Sequence, residues 1–203
     1  MSQEFTIDVW SDFVCPWCFI GARTLQKLED SHQVKVQWHS FELRPKGSPP
    51  VPDWYKEKIK QMRPQFTAIA KENYGVDIKQ GVWGINSRPA LIGMKYAEHQ
   101  GKGDAYHKHV FDAYFQDSLN IEDIQVLRTI ATDIGLDADE FEEALSDLDL
   151  DTEVTADVQA ASDYGISGVP AMLFMGKYII SGAQPYDELV RIVEQIKQRD
   201  NIT

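Results

Sequence analysis

Residues 5–21 read FTIDVWSDFVCPWCFIG. Phe5-Thr6-Ile7-Asp8-Val9-Trp10 alternates apolar and polar side chains and is rich in β-formers, so it reads as a strand. Ser11 to Val14 is a short loop. A helix begins at the cysteines and runs to about Asp30, with Phe19, Ala22, Leu25 and Leu28 on one face. Val34 to Trp38 alternates again and continues toward Leu43 as a second strand. Strand, helix and strand make a βαβ unit of about the usual size.

Cys15 and Cys18 therefore fall where a strand and loop feed a helix. The first N–H groups of a helix lack internal partners and its dipole favours negative charge, so a thiolate is stabilised there. Pro16 suits the first helical position, where a missing N–H costs nothing. Side chains three apart on a helix lie roughly 5–6 Å from one another, within reach of a disulfide. The spacing predicts Cys15 as exposed nucleophile and Cys18 as resolving thiol, with the Trp17 ring between the two sulfurs.

Outward from this unit, Arg44 to Pro50 is a turn-rich linker. A helical pattern follows for about a hundred residues. Trp54–Met62 and Gln65–Tyr74 read as two helices divided at Pro64, the second stopped by Gly75. Gly81 to Asn86 reads as loop, and Ser87 and Asn120 as caps of later helices. Asp137-Ala138-Asp139-Glu140 resembles a capping box. Strand pattern returns at Ala171–Met175 and Tyr178–Ser181 about a Gly176-Lys177 turn. Pro185 opens a last helix with Leu189, Ile192, Val193 and Ile196 inward. The order is β-α-β, helices, β-β-α, which one α/β core split by a helical insertion accounts for. Before the late strands stands Gly165-Ile166-Ser167-Gly168-Val169-Pro170. Its Val169–Pro170 bond reads as a plain turn or as a cis peptide, and the presence of a CxxC pair favours cis.

The 203 residues carry a formal net charge of −12, which argues against a nucleic-acid partner and against an anionic membrane surface. MSQEFTIDVW has neither the basic start nor the apolar run of a secretory signal, and no apolar stretch approaches a membrane span. A cytoplasmic location is expected. A structural disulfide is rare in that compartment, so a close cysteine pair points to catalysis, redox sensing or metal binding. Zinc would need further ligands. Of His32, His39, His99, His107 and His109 only the 107/109 pair clusters, and it reads as a solvated helix face. No metal is expected.

SDFVCPWCFIG, with GVPAMLF about 150 residues later and helices between, resembles the DsbA-like thiol–disulfide oxidoreductases of the FrnE type. The resemblance implies a thioredoxin-like fold, α/β, interrupted by an all-helical insertion. Residues 1–45 and 165–203 would form the thioredoxin-like domain and 46–164 the insertion. It implies Cys15 as nucleophile, Cys18 as resolver and Pro170 as a cis-proline facing them. Pro16, Trp17, Val169 and Pro170 would form the substrate-facing set, with Val169 offering its backbone to an extended substrate. No bound cofactor is implied beyond the redox-active Cys15–Cys18 pair, with glutathione a candidate co-substrate. Partners would be protein or small-molecule disulfides and thiols, and the chain a monomer or homodimer. Periplasmic members carry histidine between the cysteines. Trp17 stands there here, which removes one source of thiolate stabilisation and predicts a less oxidising couple, suited to a reductase or isomerase. A related branch, the 2-hydroxychromene-2-carboxylate isomerases and kappa-class glutathione transferases, carries serine at the first cysteine position.

Three functions stay in view: dithiol–disulfide exchange, a glutathione-dependent isomerase or transferase needing only the first cysteine position, and a non-enzymatic peptide-binding holdase. Asp8 and Asp12 are candidate proton relays for Cys18, although a polar strand edge and a loop cap describe them as well. Asn86-Ser87 resembles a family pair before an insertion helix, and capping explains Ser87. Trp10, Trp38, Trp54 and Trp83 read as core or rim. From Arg44 to Lys102 there are eleven bases against five acids, and from Asp117 to Asp163 fifteen acids against Arg128 alone. These are solvated faces, or a two-sided insertion that selects partners by charge.

Overall fold

The computed structural model describes residues 4–202, so residues 1–3 and 203, which belong to the terminal segments of the expected thioredoxin-like domain, lie outside it. Phe5–Ser11 (β1), Pro16–Ser31 (α1) and Val34–Ser40 (β2) form the expected βαβ unit. Helices α2 (Asp53–Tyr74), α3 (Arg88–His99), α4 (Gly103–Phe115), α5 (Ile124–Asp133), α6 (Ala138–Ala144) and α7 (Leu148–Asp163) follow. Ala171–Phe174 (β3), Tyr178–Ser181 (β4) and Tyr186–Asp200 (α8) close the chain. The sheet order is β2-β1-β3-β4. β1 pairs parallel with β2, Phe5 opposite Val34, and antiparallel with β3, Trp10 opposite Ala171.

Alternation along β1 sorts its side chains. Phe5, Ile7 and Val9 pack with Leu25 and Leu28 of α1 and with Leu189, Ile192, Val193 and Ile196 of α8. Trp10 packs with Ala161, Ile166, Ala171 and Leu173, and its indole N–H donates to the Asp157 carbonyl at 2.9 Å. A third and larger core joins Phe13, Phe19 and Ile20 to α3–α6, so the segment that begins α1 is held by the helical block.

Four details differ from the sequence reading. Pro64 does not divide α2, which runs unbroken from Asp53 to Tyr74 and ends at Gly75 with φ of 68°. Proline frees the carbonyl four residues back, and here that is Lys60 on an exposed turn, where solvent satisfies it. Asp123 caps α5, its side chain accepting from the Gln125 N–H, while Asn120 closes the preceding turn through the Glu122 N–H. The β3–β4 turn is centred one residue earlier than expected. Met175 and Gly176 both have positive φ and the Lys177 N–H donates to the Phe174 carbonyl at 3.0 Å, because this tight turn needs two left-handed residues in succession. His107 is not on a solvated face. It is buried, stacked on Trp38 at 3.9 Å between ring centroids and packed against Phe13 and Phe111, and its Nε2 has no hydrogen-bond partner among the described residues. Burial pushes its pKa down to about 3.

Candidate active site

Cys15 is the N-cap of α1, with φ of −89° and ψ of 114°, and Pro16 follows it at the first helical positions. The Cys15 N–H donates to the Asp12 carbonyl at 3.0 Å, which anchors the loop that delivers it. Its sulfur occupies the capping site, accepting the Cys18 N–H at 3.4 Å. The same sulfur lies 3.5 Å from the Val169 carbonyl, to which its thiol donates. The Val169–Pro170 peptide bond is cis. Two segments 154 residues apart in sequence thus meet at one sulfur.

Both cysteines are free thiols. Cys15 is only 4% exposed, so it is not the open surface nucleophile the motif predicts. It is reached instead through a cavity of about 690 Å³ that it shares with Val14, Pro16, Trp17 and Val169. Cys18 is 1% exposed and its thiol is pushed well up by burial, with the Cys15 sulfur adding to the effect. The Asp12 backbone N–H and the Ser11 hydroxyl face the Cys18 sulfur and oppose that rise. The Ser11 oxygen is buried and has no partner at full hydrogen-bond geometry among the described residues. The two sulfurs are therefore unequal, one at the cavity wall and one sealed behind it.

Asp12 and Asp8 separate clearly. Asp12 is fully buried and caps the loop, one oxygen accepting from Val14 N–H at 3.2 Å and the other from Leu43 N–H at 2.7 Å. Burial raises its pKa to about 6 against these hydrogen bonds and the Ser87 hydroxyl. Asp8 is engaged with His39 Nε2 at 2.9 Å, and Asp157 binds the other ring nitrogen at 3.0 Å. Burial opposes charge on His39, yet the hydrogen bonds it donates to Asp157 and Asp8 hold it above its ordinary value. Ser87 stands at the N-cap of α3 but makes no capping bond, because its hydroxyl turns to the buried Asp12 carboxyl. Asn86 takes over locally, its side-chain oxygen accepting the Arg88 N–H at 2.6 Å.

The Trp17 ring does not lie between the cysteine sulfurs, which interact directly with each other. The ring is 41% exposed and packs edge-on against Phe66 at 4.8 Å between centroids, because the second position of α1 faces α2 rather than the core. The rest of the cavity wall is what the sequence reading misses. Trp54 and Trp83 line it, with Phe66 and Tyr114 behind them. Gly81 allows this packing, since a Cβ there would meet the Tyr114 ring at 2.3 Å, and the Tyr114 hydroxyl donates to the Val82 carbonyl at 2.6 Å. Among the described residues no group of three or more His, Cys, Asp or Glu could hold a metal ion, and no helix is long and apolar enough to cross a membrane.

A cysteine pair at a helix start, an opposing proline at a strand entrance and a four-stranded sheet define a class, the thioredoxin-like thiol–disulfide oxidoreductases. The profile of the DSBA-like thioredoxin domain family matches residues 6–194, and the chain belongs to that family. The uncharacterized protein YwbO of Bacillus subtilis is 33% identical over 206 residues, covering 95% of this chain and 98% of its own. The crystal structure of a probable DsbA oxidoreductase from Streptomyces coelicolor superposes with a TM-score of 0.79 at 27% identity, over 94% of this chain and 89% of that one. The fold is also that of the cytosolic disulfide reductase DsbM from Pseudomonas aeruginosa, solved with GSH, with a TM-score of 0.71 at 19% identity over 95% of this chain and 99% of that one.

Proposed function

We propose that this protein exchanges disulfides through the dithiol of Cys15 and Cys18, in the reductase or isomerase direction, in the cytoplasm. The observation that carries the reading is the inequality of the sulfurs: Cys15 at a helix N-cap on a cavity wall, Cys18 buried one turn behind it. Cys15 as thiolate attacks a substrate disulfide, forming a mixed disulfide and releasing one substrate thiolate. Cys18 then gives up its proton and attacks the Cys15 sulfur, releasing the second thiolate and leaving the protein pair oxidised. A buried thiol pushed up in pKa needs a base for that second step. Asp12, whose own backbone N–H faces the Cys18 sulfur, is the carboxyl we assign to it, since a pKa of about 6 leaves it ionised at neutral pH and able to accept a proton.

Pro16, Trp17, Val169 and Pro170 form the substrate-facing rim around Cys15 in this reading. The Val169 carbonyl already takes a hydrogen bond from the Cys15 thiol, which sets it beside the attacking sulfur. The direction of exchange rests on Trp17, which offers no cation to hold a thiolate. Glutathione is the reductant we assign, by likeness to the DsbM structure solved with it. Helices within 46–164 act as the insertion that walls the cavity, on a thioredoxin-like frame of 1–45 and 165–203.

A second reading has one observation behind it. A cavity of about 690 Å³ falls in the range of small-molecule sites, and a 2-hydroxychromene-2-carboxylate isomerase shares the fold with a TM-score of 0.78 at 20% identity. Under it Cys15 alone matters. Reduction of insulin by glutathione, with the wild type, Cys15→Ser and Cys18→Ala, separates the readings. Exchange predicts turnover that Cys15→Ser abolishes. Retained activity of Cys15→Ser on a glutathione-activated substrate, with no insulin reduction by the wild type, would replace exchange with isomerisation.

A further inference from the structure

The cavity in front of Cys15 has a charge of its own. Arg44, Arg63 and Lys79 line it, and no Asp or Glu does among the described residues. Four of the five other arginines hold carboxylates: Arg23 binds Asp112, Arg88 binds Glu42 and Asp151, Arg128 binds Asp139 and Glu142, and Arg191 binds Glu188, while Arg199 lies over the Tyr178 ring. The cavity arginines hold only neutral groups, Arg44 the Pro49 carbonyl and Arg63 the Gln80 side-chain oxygen. In a chain of net charge −12, three cations without a carboxylate around one cavity form a local field opposite to that of the whole.

The same wall is aromatic. Trp17, Trp54 and Trp83, three of the five tryptophans, line it at 41%, 68% and 39% exposure, with Phe66 beneath Trp17. Indole faces left in solvent at a cavity mouth are suited to stacking on a planar body. The third observation is the sulfur itself, since Cys15 lies on the same wall.

We propose that this cavity is a specificity pocket for small disulfides whose planar, apolar bodies carry carboxylates. Arg44, Arg63 and Lys79 hold the carboxylates, the tryptophans hold the body, and Cys15 meets the sulfur. The proposal rests on the exchange reading and narrows its substrate class. Its chemistry balances as one two-electron step: Cys15 thiolate attacks ArS–SAr and releases one ArS⁻, then Cys18 displaces the second ArS⁻ from Cys15. The disulfide is reduced to two thiolates, the protein dithiol is oxidised to its disulfide, and its protons pass to solvent. Glutathione or another thiol, two equivalents per turnover, restores the dithiol.

The test uses pre-reduced protein in single turnover with two probes. Dithiobis(nitrobenzoate) is a diaryl disulfide with a carboxylate on each ring, and dithiodipyridine is an uncharged diaryl disulfide. Each rate is divided by that of N-acetylcysteine amide with the same probe. The expected result is a normalised rate higher for the carboxylate probe. It falls at least about tenfold in Arg63→Gln and in the Arg44→Gln/Lys79→Gln double variant, since a charge-assisted hydrogen bond contributes about that factor. The ratio of the anionic to the neutral rate carries the comparison, because losing a cation from the wall of Cys15 acts on both probes, and far-UV circular dichroism reports that the variants fold. Added salt slows only the anionic probe. A normalised rate for the carboxylate probe at or below that of the neutral one, as net charge −12 alone would produce, overturns the proposal and leaves exchange intact. So do variants that keep the wild-type preference. Oxidation of the cysteine pair by neither probe nor by oxidised glutathione sinks the exchange reading itself.

Discussion

Between Cys15 and Cys18 the environment changes over a single helical turn. The cap position exposes Cys15 to the cavity and surrounds its sulfur with a backbone N–H, whereas Cys18 is sealed and its thiol is pushed up by burial. In the reduced protein Cys15 is therefore expected to take up iodoacetamide before Cys18, by at least about tenfold. Peptide mass mapping over a time course checks this, and equal rates would contradict the inequality on which the mechanism stands. Asp12 supplies a second test at a single residue. Its folded pKa of about 6 lies above the ordinary carboxylate value of 3.8, so the folded state binds the proton more tightly. The stability this contributes is fully present below the unfolded pKa and is lost as pH rises through about 6. Relative to Asp12→Asn, the wild type should gain on the order of 3 kcal/mol between pH about 7.5 and pH about 3, since each tenfold gain in proton affinity on folding is worth about 1.4 kcal/mol. Denaturant titrations of both proteins at the two pH values measure it. A difference independent of pH would remove Asp12 from the buried, titrating role, and with it the base for Cys18.

Single elements position the site in ways that can be disturbed one at a time. The loop of Gly81 touches both cavity and core, and a Cβ at 2.3 Å from the Tyr114 ring has nowhere to go. Gly81→Ala should cost roughly 1–3 kcal/mol, the usual range for overpacking, measured by denaturant unfolding. An unchanged midpoint would mean that the loop adjusts freely and does not set the cavity wall. Legibility divides along the same line between local and distant. Cys15, Cys18 and the helix cap are legible because the chemistry lies within one turn, and Pro170 because it stands directly before a strand. The wall is not. Trp54, Arg63 and Phe66 come from α2, which has only Ala70 fully buried, and no periodicity in an exposed helix announces which neighbour it faces. Ser87 misleads for a related reason: the cap position is legible, but the buried carboxyl that draws its hydroxyl away lies 75 residues earlier in the chain. The basic stretch from Arg44 to Lys102 is the sequence signal that bears on the cavity, since Arg44, Arg63 and Lys79 belong to it.

Across the whole molecule, a helical block shares its core with the start of α1, so the stability of that block and the placing of Cys15 are one matter. His107 lies in this core beside Phe13, two residues before the cysteine, and its pKa is held at about 3 by burial. A base depressed below its ordinary 6.5 contributes stability that is present above that value and is lost as pH falls toward 3. The loss should reach about 5 kcal/mol at its limit, and His107→Phe should remove it while costing little at neutral pH, where the unpartnered Nε2 gives nothing. Unfolding of both proteins across this pH range tests that, and equal acid limbs would contradict it. The same fold brings Cys15, Val169 and the α2 wall to one point, where under the proposed exchange Cys15 would form a mixed disulfide and Cys18 would resolve it. Intact-mass spectrometry of Cys18→Ala incubated with oxidised glutathione tests this most directly. A covalent glutathione adduct should accumulate on Cys15 to near stoichiometry and be absent from Cys15→Ser/Cys18→Ala. A Cys18→Ala protein that turns over normally and accumulates no adduct would contradict the dithiol mechanism.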